Sequence, residues 1–340
     1  MIADVYTHIK EDSIYIYGTG NKARKLATIL DEADEPLDLK GFIVSPYVEH
    51  QEVMENHPVN VLTSEFAGTI ACDSSIFIAT SENNAIEIVK YLKSLELSNY
   101  IYISNEDLIE LNRRLNPIKT SIELDSINPV SRIFGLDRGT PIDRYYIEHF
   151  LDTYKPSIEQ LNRKAGIRDA IRFFEVGDNT YSKEIAQYYT NVQTELEILD
   201  YSAGQDLTDI ATLKKDYYDV FVCTQTLNFI YDIKEAILGA YYTIRNGGYL
   251  LATMAATITP ISRYDMDRWG HYWGVTDLCA KNIFSEVFGE KNVTVITYGN
   301  ALAATAFIQG IAVEDLESRE LLDEVDKDYQ VLLGIVAQKR

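Results

Sequence analysis

The segment "RFFEVGDNTYSKEIA", residues 172–186, decides the fold of the C-terminal half, because a strand, a turn and a helix follow one another in it. The apolar run that contains Phe173, Phe174 and Val176 is typical of a strand buried in a parallel sheet. Gly177 can adopt the positive φ that a sharp turn after such a strand needs. The segment therefore predicts one strand, turn and helix unit of an α/β sheet.

Segments downstream extend this sheet. "TELEILD" (residues 194–200) predicts a second strand, and "YYDVFVCTQTL" (residues 217–227) predicts a central strand, since it is almost entirely apolar. A helix then ends at "NGG" (residues 246–248), where a left-handed stop is favourable, and "GYLLATM" (residues 248–254) returns to the sheet. The apolar residues on one face of this helix are Ile230, Ile233, Ile237, Ala240, Tyr241 and Ile244.

The outer parts of this domain are read from weaker patterns. Residues 142–161 predict a helical lead-in, and "KNVTVITYG" (residues 291–299) and "DYQVLLGIVAQK" (residues 328–339) predict two last strands. Antiparallel pairing of these last strands would reverse one edge of the sheet, although spacing alone does not decide it. We place the domain at residues 129–340.

The N-terminal half predicts a smaller Rossmann-like domain, residues 1–116. "SIYIYGTGNKARKLATIL" (residues 13–30) reads as a strand, a glycine turn and a helix. The strands "LKGFIVS", "SSIFIAT" and "NYIYIS" follow, and the helix "NNAIEIVKYLKSL" lies between the last two. The connection, "NPIKTSIELDSINPV" (residues 116–130), has two Asn-Pro steps, which disfavour helix. The fold class is thus α/β with two Rossmann-like units.

The glycine turn of the N-terminal half predicts a nucleotide site, which would be a second site beside any in the C-terminal half. Gly18, Gly20 and Asn21 lie in a G-x-G-x-x-A pattern between a strand and a helix, where phosphate groups bind. NAD is disfavoured, because the second strand ends in Ser45 and Pro46 rather than in an acidic residue that would hold ribose. The alternative is that both glycines serve only the tight turn and helix packing.

Composition restricts the class of protein. The 340 residues are 46% hydrophobic and carry a formal charge of −21, which opposes binding to the phosphate backbone of nucleic acid. The N-terminus has no signal-peptide pattern, and no apolar run is long enough to span a membrane. Three scattered cysteines lack the spacing of zinc sites or disulfide frameworks. We expect a cytoplasmic protein without a metal.

The second glycine turn carries chemistry of another kind. Gly177 and Asn179 permit a bent loop of exposed N–H groups, and Asp178 places a carboxylate beside it. Such a loop suits an adenosine with a cationic amino-acid tail better than a pyrophosphate. Further carboxylates follow the next strands, at Glu197, Asp200 and Asp206. The alternative for each of them, in a chain with 52 acidic residues, is a solvated loop charge.

From about residue 129 to the C-terminus, ordered motifs resemble one family. They are "PVSRIFGLDRGTPIDRYYIEHFL", "FEVGDNTYS", "DLTD", "DVFVCTQTLNFIYDIKEAI", "GGYLLATM", "RWGHYWGVT" and "YGNALAATAFIQGIA". The chain here resembles the class I S-adenosylmethionine (SAM)-dependent methyltransferase-like proteins of bacterial surface-polysaccharide loci. The resemblance implies a seven-stranded methyltransferase sheet with an antiparallel last strand and SAM at the carboxyl ends of its first strands.

The resemblance also implies roles for individual residues. Glu175, Gly177 and Asp178 would lie at the methionine end of SAM, and Glu197 or Asp200 near the ribose, a choice that a short stretch before "DLTD" leaves open. The remaining cofactor positions would be Asp206 and Leu207 beside the adenine, and Thr224, Gln225 and Thr226 at the reaction centre.

The acceptor side is predicted from two segments. "DRGTPIDRYY" (residues 137–146) would cover the site and supply Arg138 and Arg144 as partners for a carboxylate and Asp143 as a catalytic candidate. "RYDMDRWGHYWGVT" (residues 263–276) is the loop where acceptors bind in the family. His271 is the candidate base in this loop, because the ordinary histidine pKa near 6.5 suits proton removal at neutral pH. The candidate acceptor-binding residues are Arg268, Trp269, Tyr272 and Trp273. Gly274 replaces a side chain that is basic in the family.

The sequence therefore predicts a SAM-dependent methyltransferase, with O-methylation of a sugar or of a glycan or polyol-phosphate precursor in surface-polysaccharide biosynthesis. A glycosyltransferase partner or a homodimer is open. The alternative is a non-catalytic methyltransferase-like scaffold or carbohydrate-binding module. A nucleotide-sugar oxidoreductase that uses Gly18 and Gly20 lacks both a ribose acid and a tyrosine-lysine pair.

Overall fold

The computed structural model of the protein describes residues 5–6, 8–9, 13–33, 35–117, 126–165 and 170–340. The chain divides into two compact units. The first unit comprises Met1–Ile127 with Asp137–Gly139, and the second comprises Asn128–Leu136 with Thr140–Arg340. Residues 118–125 of the predicted connection lie outside the described residues.

The first unit is built on a six-stranded sheet within its described residues. The spatial order is β3-β4-β2-β1-β5-β6, and all neighbours are parallel except the short β3–β4 pair, which the sequence patterns did not predict. The strands are β1 (Ser13–Tyr17), β2 (Leu39–Val44), β3 (Val53–Met54), β4 (His57–Val61), β5 (Ser74–Ile78) and β6 (Tyr100–Tyr102).

Helices cover the first sheet and bury its apolar side chains. Ile16, Phe42 and Phe77 on the strands are fully buried, as expected for parallel strands with both faces covered. The helices of this unit that the structure describes from end to end are Asn21–Asp31, Ser64–Ala67, Glu82–Ser94 and Asn105–Leu115.

The second unit holds a six-stranded sheet in the order β11-β12-β10-β9-β7-β8. Its strands are β7 (Ile171–Val176), β8 (Thr194–Leu199), β9 (Tyr218–Thr224), β10 (Ile244–Ala255), β11 (Val293–Tyr298) and β12 (Leu332–Gln338). Strand β12 is antiparallel to both of its neighbours, β10 and β11, while β7 to β10 are parallel. The predicted fold class is confirmed: α/β, with an antiparallel last strand in the C-terminal sheet.

The resemblance implied seven strands, and the described residues form six. Between β8 and β9 the chain has only residues 200–217, and these contain two 3₁₀ turns, Tyr201–Ala203 and Ile210–Thr212. A further strand with its connections needs a longer stretch than this one. Strand β8 is therefore an edge strand.

The helices of the second unit differ from expectation at two points. The predicted lead-in, residues 142–161, is two helices, because Pro156 disfavours a helical Lys155. The helix before "NGG" ends at Thr243, since Ile244 is already extended and enters β10. The helices are Ile142–Tyr154, Ile158–Ala165, Thr180–Ala186, Ile233–Thr243, Arg263–Met266, Asp277–Phe288 and Ala301–Gln309.

A buried ion pair joins the strands at the amino end of the second sheet. The Arg245 guanidinium donates to the Asp219 carboxylate and to the Leu161 carbonyl, and the other Asp219 oxygen accepts from the Arg172 backbone N–H at 2.8 Å. Both charged side chains are almost fully buried. Removing one partner of such a pair costs about 3–5 kcal/mol, so it fixes the relative positions of β7, β9 and β10.

No helix in the described ranges combines the length and the apolar character needed to cross a membrane. All three cysteines are free thiols, with Cys223 buried in β9 and Cys72 and Cys279 exposed.

Candidate active site

The candidate site lies at the carboxyl edge of the second sheet. The parallel strands β7 to β10 end there, at Val176, Leu199, Thr224 and Ala255. In open α/β sheets, ligands bind in the crevice outside the carboxyl ends of the strands. The loops that follow β7, β8 and β9 carry most of the predicted cofactor-binding residues.

The turn after β7 is open to solvent. Gly177 has a φ of +84°, and a Cβ built on it would have no atom within 4 Å. Its N–H donates to the Leu199 carbonyl at 3.4 Å, which holds the turn against the end of β8. The conformation therefore requires glycine, while the space beside it stays free. Asn179 has a φ of −125°, so its tolerance of left-handed backbone is not used.

The two acidic residues of this turn play different parts. The Glu175 carboxylate is buried and accepts from the backbone N–H groups of Tyr181 (3.2 Å) and Ser182 (2.7 Å). Burial outweighs these bonds and raises the pKa of Glu175. Asp178 is exposed and accepts from the Thr180 N–H at 2.9 Å through one oxygen only. Glu175 thus fixes the turn from inside, and Asp178 faces solvent.

Glu197 is engaged within the sheet. Its carboxylate accepts from Lys214 Nζ at 2.6 and 2.8 Å and from the Tyr218 hydroxyl at 2.7 Å. Burial alone would raise the pKa of Glu197, but the bonds from Lys214 and Tyr218 outweigh it and leave the pKa below its usual value. Glu197 pairs with Phe174 inside the β7–β8 ladder, so it does not stand at the strand end.

The loop after β8 begins with an exposed carboxylate. Asp200 follows the last residue of the strand and accepts from the Ser202 N–H (2.9 Å) and hydroxyl (2.6 Å). Asp206 accepts from the Thr208 N–H and hydroxyl, each at 2.8 Å. Leu207 is buried, and its carbonyl is so near Gly239 that a Cβ there would collide with it.

The end of β9 is strained. Gln225 has a φ of +44°, a left-handed conformation that costs a non-glycine residue about 1 kcal/mol or more. Its N–H reaches both the carbonyl and the hydroxyl of Thr253 on β10, at 3.1 Å each. The Thr226 hydroxyl donates to the Thr224 carbonyl at 2.9 Å. The bend therefore turns the chain sharply at the predicted reaction centre.

The predicted acceptor loop is attached to the end of β9. The Tyr272 N–H donates to the Asn228 carbonyl at 2.8 Å, and the Trp273 indole N–H donates to the Ile230 carbonyl at 2.9 Å. Trp273 also packs on the hydrophobic core. Its ring is therefore used to hold the loop.

Two of the predicted acceptor-binding rings of this loop remain accessible. Trp269 is 55% exposed and contacts Tyr201 edge to face, with ring centroids 5.9 Å apart. Tyr272 is 48% exposed and contacts Tyr231 in the same manner. Since Tyr201 follows Asp200, the acceptor loop lies beside the end of β8.

His271 lies between this loop and the end of β9. Its ring meets Phe229 edge to face at 5.2 Å, and its Nδ1 is buried with no hydrogen-bond partner in the described structure. Burial lowers the pKa of His271, so the ring is neutral at pH 7. The residue as a whole is only partly buried.

The predicted basic residues are placed differently from one another. Arg138 belongs to the first unit, where its guanidinium donates twice to the Asn116 carbonyl at 3.2 Å. Arg268 donates to the Tyr264 carbonyl at 2.6 Å and stacks on that ring. Arg144 is exposed.

Asp143 lies in the first turn of the helix Ile142–Tyr154. Poor solvation raises the pKa of its carboxyl to about 6, although part of the side chain remains accessible, and Oδ1 accepts from the Arg144 N–H at 2.9 Å. Asp143 and Arg144 both act electrostatically on the Tyr181 hydroxyl, so this helix start lies near the turn at Gly177.

The residues of the predicted second nucleotide site lie together in the first unit. Gly18, Gly20 and Asn21 line a cavity of about 840 Å³ within the first unit.

The sequence patterns missed two residues of the candidate active site, the buried Asn228 that binds the acceptor loop and Tyr201, which contacts Trp269. These contacts join residues far apart in the chain, and no local pattern encodes them. The sequence patterns named Gln225 as a cofactor position but did not predict its left-handed backbone.

No protein-family model matches the sequence, and no curated protein matches it. Among solved structures, the chain is similar to a SAM-dependent methyltransferase from Archaeoglobus fulgidus (14% identity, 57% of this chain and 100% of that one, TM-score 0.34). It is also similar to phosphoethanolamine N-methyltransferase 2 from Haemonchus contortus with SAM (9%, 99% and 97%, 0.34). A third is the N-methyltransferase NodS from Bradyrhizobium japonicum with S-adenosylhomocysteine (16%, 59% and 89%, 0.32). At these values, cofactor and acceptor have to be inferred from the residues of this chain.

Proposed function

We propose that the second unit is a SAM-dependent methyltransferase. The observation that carries the proposal is the open backbone at Gly177, which borders the end of β8 and is flanked by the exposed carboxylates of Asp178 and Asp200. SAM joins an adenosine to a sulfonium and an amino-acid tail. Carboxylates attract these cationic groups, whereas they would repel a pyrophosphate.

The described residues fit this cofactor. Gly177 leaves space where any side chain would intrude, and Asp178 keeps one carboxylate oxygen for the amino group of the tail. Asp206 and Leu207 would border the adenine, as the resemblance implies. Glu175 holds the turn in place through the N–H groups of Tyr181 and Ser182.

We assign the ribose to Asp200 rather than to Glu197. Asp200 is exposed at the end of β8, where a carboxylate can accept from both ribose hydroxyls. Glu197 already accepts from Lys214 and Tyr218, and exchanging these partners for ribose would leave both donors unpaired.

When bound, SAM supplies a methyl group activated by a sulfonium. The turn at Gly177, the bend at Gln225 and the acceptor loop would align the acceptor and exclude water, which is most of what an in-line displacement requires. For a hydroxyl acceptor, His271 Nε2 would take the proton, since a neutral imidazole is a base at pH 7.

We further propose an O-methyltransferase for a sugar, or for a glycan or polyol-phosphate precursor of surface polysaccharide, acting in the cytoplasm. The exposed rings of Trp269 and Tyr272 support this acceptor class, because aromatic faces stack on sugar rings. Trp273 is left out of this role, since its indole holds the loop.

A matched pair of variants tests the cofactor site. Calorimetric titration of the full chain should show S-adenosylhomocysteine binding, which Asp200→Ala weakens by about ten-fold or more. Glu197→Ala should keep the affinity and lower the Tm, because Lys214 and Tyr218 lose their acceptor. No binding by the unmodified chain at millimolar ligand would reject the methyltransferase. Equal losses in the two variants would reject only the ribose assignment.

A second candidate is a methyltransferase-like scaffold without activity. It is favoured by the lack of a free arginine or lysine in the acceptor loop: Gly274 carries no side chain, Arg268 is held by Tyr264, and Arg263 pairs with Asp267. An assay for the formation of S-adenosylhomocysteine from SAM, with a panel of nucleotide sugars and polyol phosphates as acceptors, distinguishes the enzyme from the scaffold. Turnover that His271→Ala abolishes without loss of cofactor affinity supports the enzyme, and binding without turnover supports the scaffold.

A further inference from the structure

The first unit contains a cavity of about 840 Å³ at the carboxyl ends of β1, β2, β5 and β6. Strand β1 has β2 on one side and β5 on the other. The strands that follow β1 in the chain therefore lie on both sides of it, and the direction in which the sheet is built reverses between β1 and β5. Such a switch point leaves a crevice between the connecting loops, and it is where ligands bind in open α/β sheets. The volume is that of a site for a complete small molecule.

One wall of the cavity contains two glycines, Gly18 and Gly20, and the fold requires only Gly18. Gly18 has a φ of +116°, and a Cβ there would lie 2.8 Å from Thr80 Cγ2, so only glycine fits. Gly20, in contrast, has an ordinary φ of −78°, and its Cβ would meet nothing within 4 Å. Gly20 lines the cavity, and a side chain would point into space that the protein itself leaves unused.

The same wall presents donors and a positive charge. The helix Asn21–Asp31 starts at Gly20 without a side-chain cap, so its first N–H groups face the cavity. Lys22 Nζ donates to the Tyr102 hydroxyl (3.2 Å) and the Ile103 carbonyl (3.1 Å). An ammonium has three donors, and the third is left for a ligand. The arrangement suits a phosphoryl group.

The rest of the cavity combines polar groups with apolar side chains such as Val44 and Ile88, and none of its lining residues other than Lys22 is basic. Ser45, at the end of β2, shares a hydrogen bond of 2.6 Å with the Tyr17 hydroxyl, in the place where an acid would hold the ribose of a dinucleotide. Asn84 and Glu87 face it from the helix Glu82–Ser94, and Lys90 pairs with Glu87. These groups match hydroxyls and amides, so the phosphate groups of a ligand belong at the wall formed by Gly20 and Lys22.

We propose that this cavity binds an organic phosphate, with its phosphoryl group between Gly20 and Lys22 and a hydroxyl-rich body toward Ser45 and Asn84. The proposal concerns the first unit alone and stands whether or not the second unit transfers methyl groups.

Calorimetry on the full chain tests it, with inorganic phosphate, UDP, UDP-glucose and NADH as probes at equal ionic strength. UDP or UDP-glucose should bind more tightly than inorganic phosphate and than NADH. Lys22→Gln should weaken this binding about ten-fold. Lys25→Gln, an exposed lysine of the same helix, is the matched control and should change nothing.

Gly20→Asp separates binding from folding. The aspartate can cap the helix, so the Tm should hold or rise, while its charge occupies the phosphoryl position and abolishes binding. The proposal is overturned if neither UDP nor UDP-glucose binds with a Kd below about 1 mM. It is also overturned if Gly20→Asp still binds them. Tighter binding of inorganic phosphate or of NADH would equally overturn the ligand class.

Discussion

Asp143 is a residue whose stability cost can be measured. Its pKa is raised to about 6, so the folded state holds the proton more tightly than the unfolded state, where the value is 3.8. The folded protein therefore loses stability as the pH rises from about 4 to 6, and above that range the full penalty remains. A group that destabilises the fold at neutral pH is a reasonable candidate for a proton-transfer role.

We predict that Asp143→Asn raises the free energy of unfolding at pH 7.5 by about 1–3 kcal/mol. The amide keeps the acceptor for the Arg144 N–H and removes the poorly solvated charge. The gain should shrink to near zero below pH 4, where Asp143 is protonated. Thermal unfolding of both proteins across pH 3.5–8 measures it.

Asp277→Asn is the matched control, because Asp277 also lies in the first turn of a helix and accepts from the next backbone N–H, at 2.8 Å. It should be neutral or slightly destabilising, since it removes a favourable charge at a helix N-terminus. A lower Tm of Asp143→Asn at pH 7.5 would mean that the Asp143 carboxylate stabilises the fold.

For individual residues, the sequence predicted candidates for the site, but not which candidates are already bound to other side chains or to the backbone. Glu197 and Asp200 are equivalent as letters, and only the fold reveals that Lys214, 17 residues downstream, neutralises Glu197. Trp273 and Arg138 are similar cases, because their partners Ile230 and Asn116 are distant in sequence.

Among the elements, the end of β9 holds a strained backbone conformation. Gln225 is left-handed between a buried strand and the 3₁₀ turn Leu227–Phe229, at the predicted reaction centre. Its side chain has one weak contact, from Asn228 Nδ2 at 3.3 Å, which is too little to account for the conformation. The bend is instead held by the N–H of Gln225 on Thr253.

We predict that Gln225→Gly is more stable than Gln225→Ala by about 1 kcal/mol, because glycine adopts positive φ without strain. Both variants lose the same contact with Asn228, so their difference isolates the backbone. Urea unfolding of the two proteins measures it. Equal free energies of unfolding would show that the left-handed backbone carries no strain.

Strands were more predictable than helix ends. The predicted strands of both units are present, because a buried parallel strand must be apolar throughout and its sequence shows it. The helix before "NGG" ended early because Ile244 was needed in β10, beside Tyr218 of β9. The β3–β4 pair is too short for an alternating pattern to mark it.

At the scale of the whole molecule, the net charge produces an electrostatic field that acts on a ligand before any contact forms. With 52 acidic and 31 basic residues, the formal charge is −21. A field of this sign attracts cations and is screened over about 10 Å at 0.1 M salt. SAM carries one more positive charge than S-adenosylhomocysteine and is otherwise almost identical, so the pair reports on this field.

If SAM is the cofactor, its affinity should fall by about two- to ten-fold between 20 and 500 mM NaCl, while that of S-adenosylhomocysteine changes little. The reason is that salt screens the attraction between the sulfonium and the acidic surface, including Asp178 and Asp200 at the site. Titrations of both ligands over that salt range measure the ratio of the two dissociation constants, with sucrose as an uncharged control for water activity. A ratio that stays constant with salt would mean that hydrogen bonding, and not the acidic field, distinguishes the two ligands.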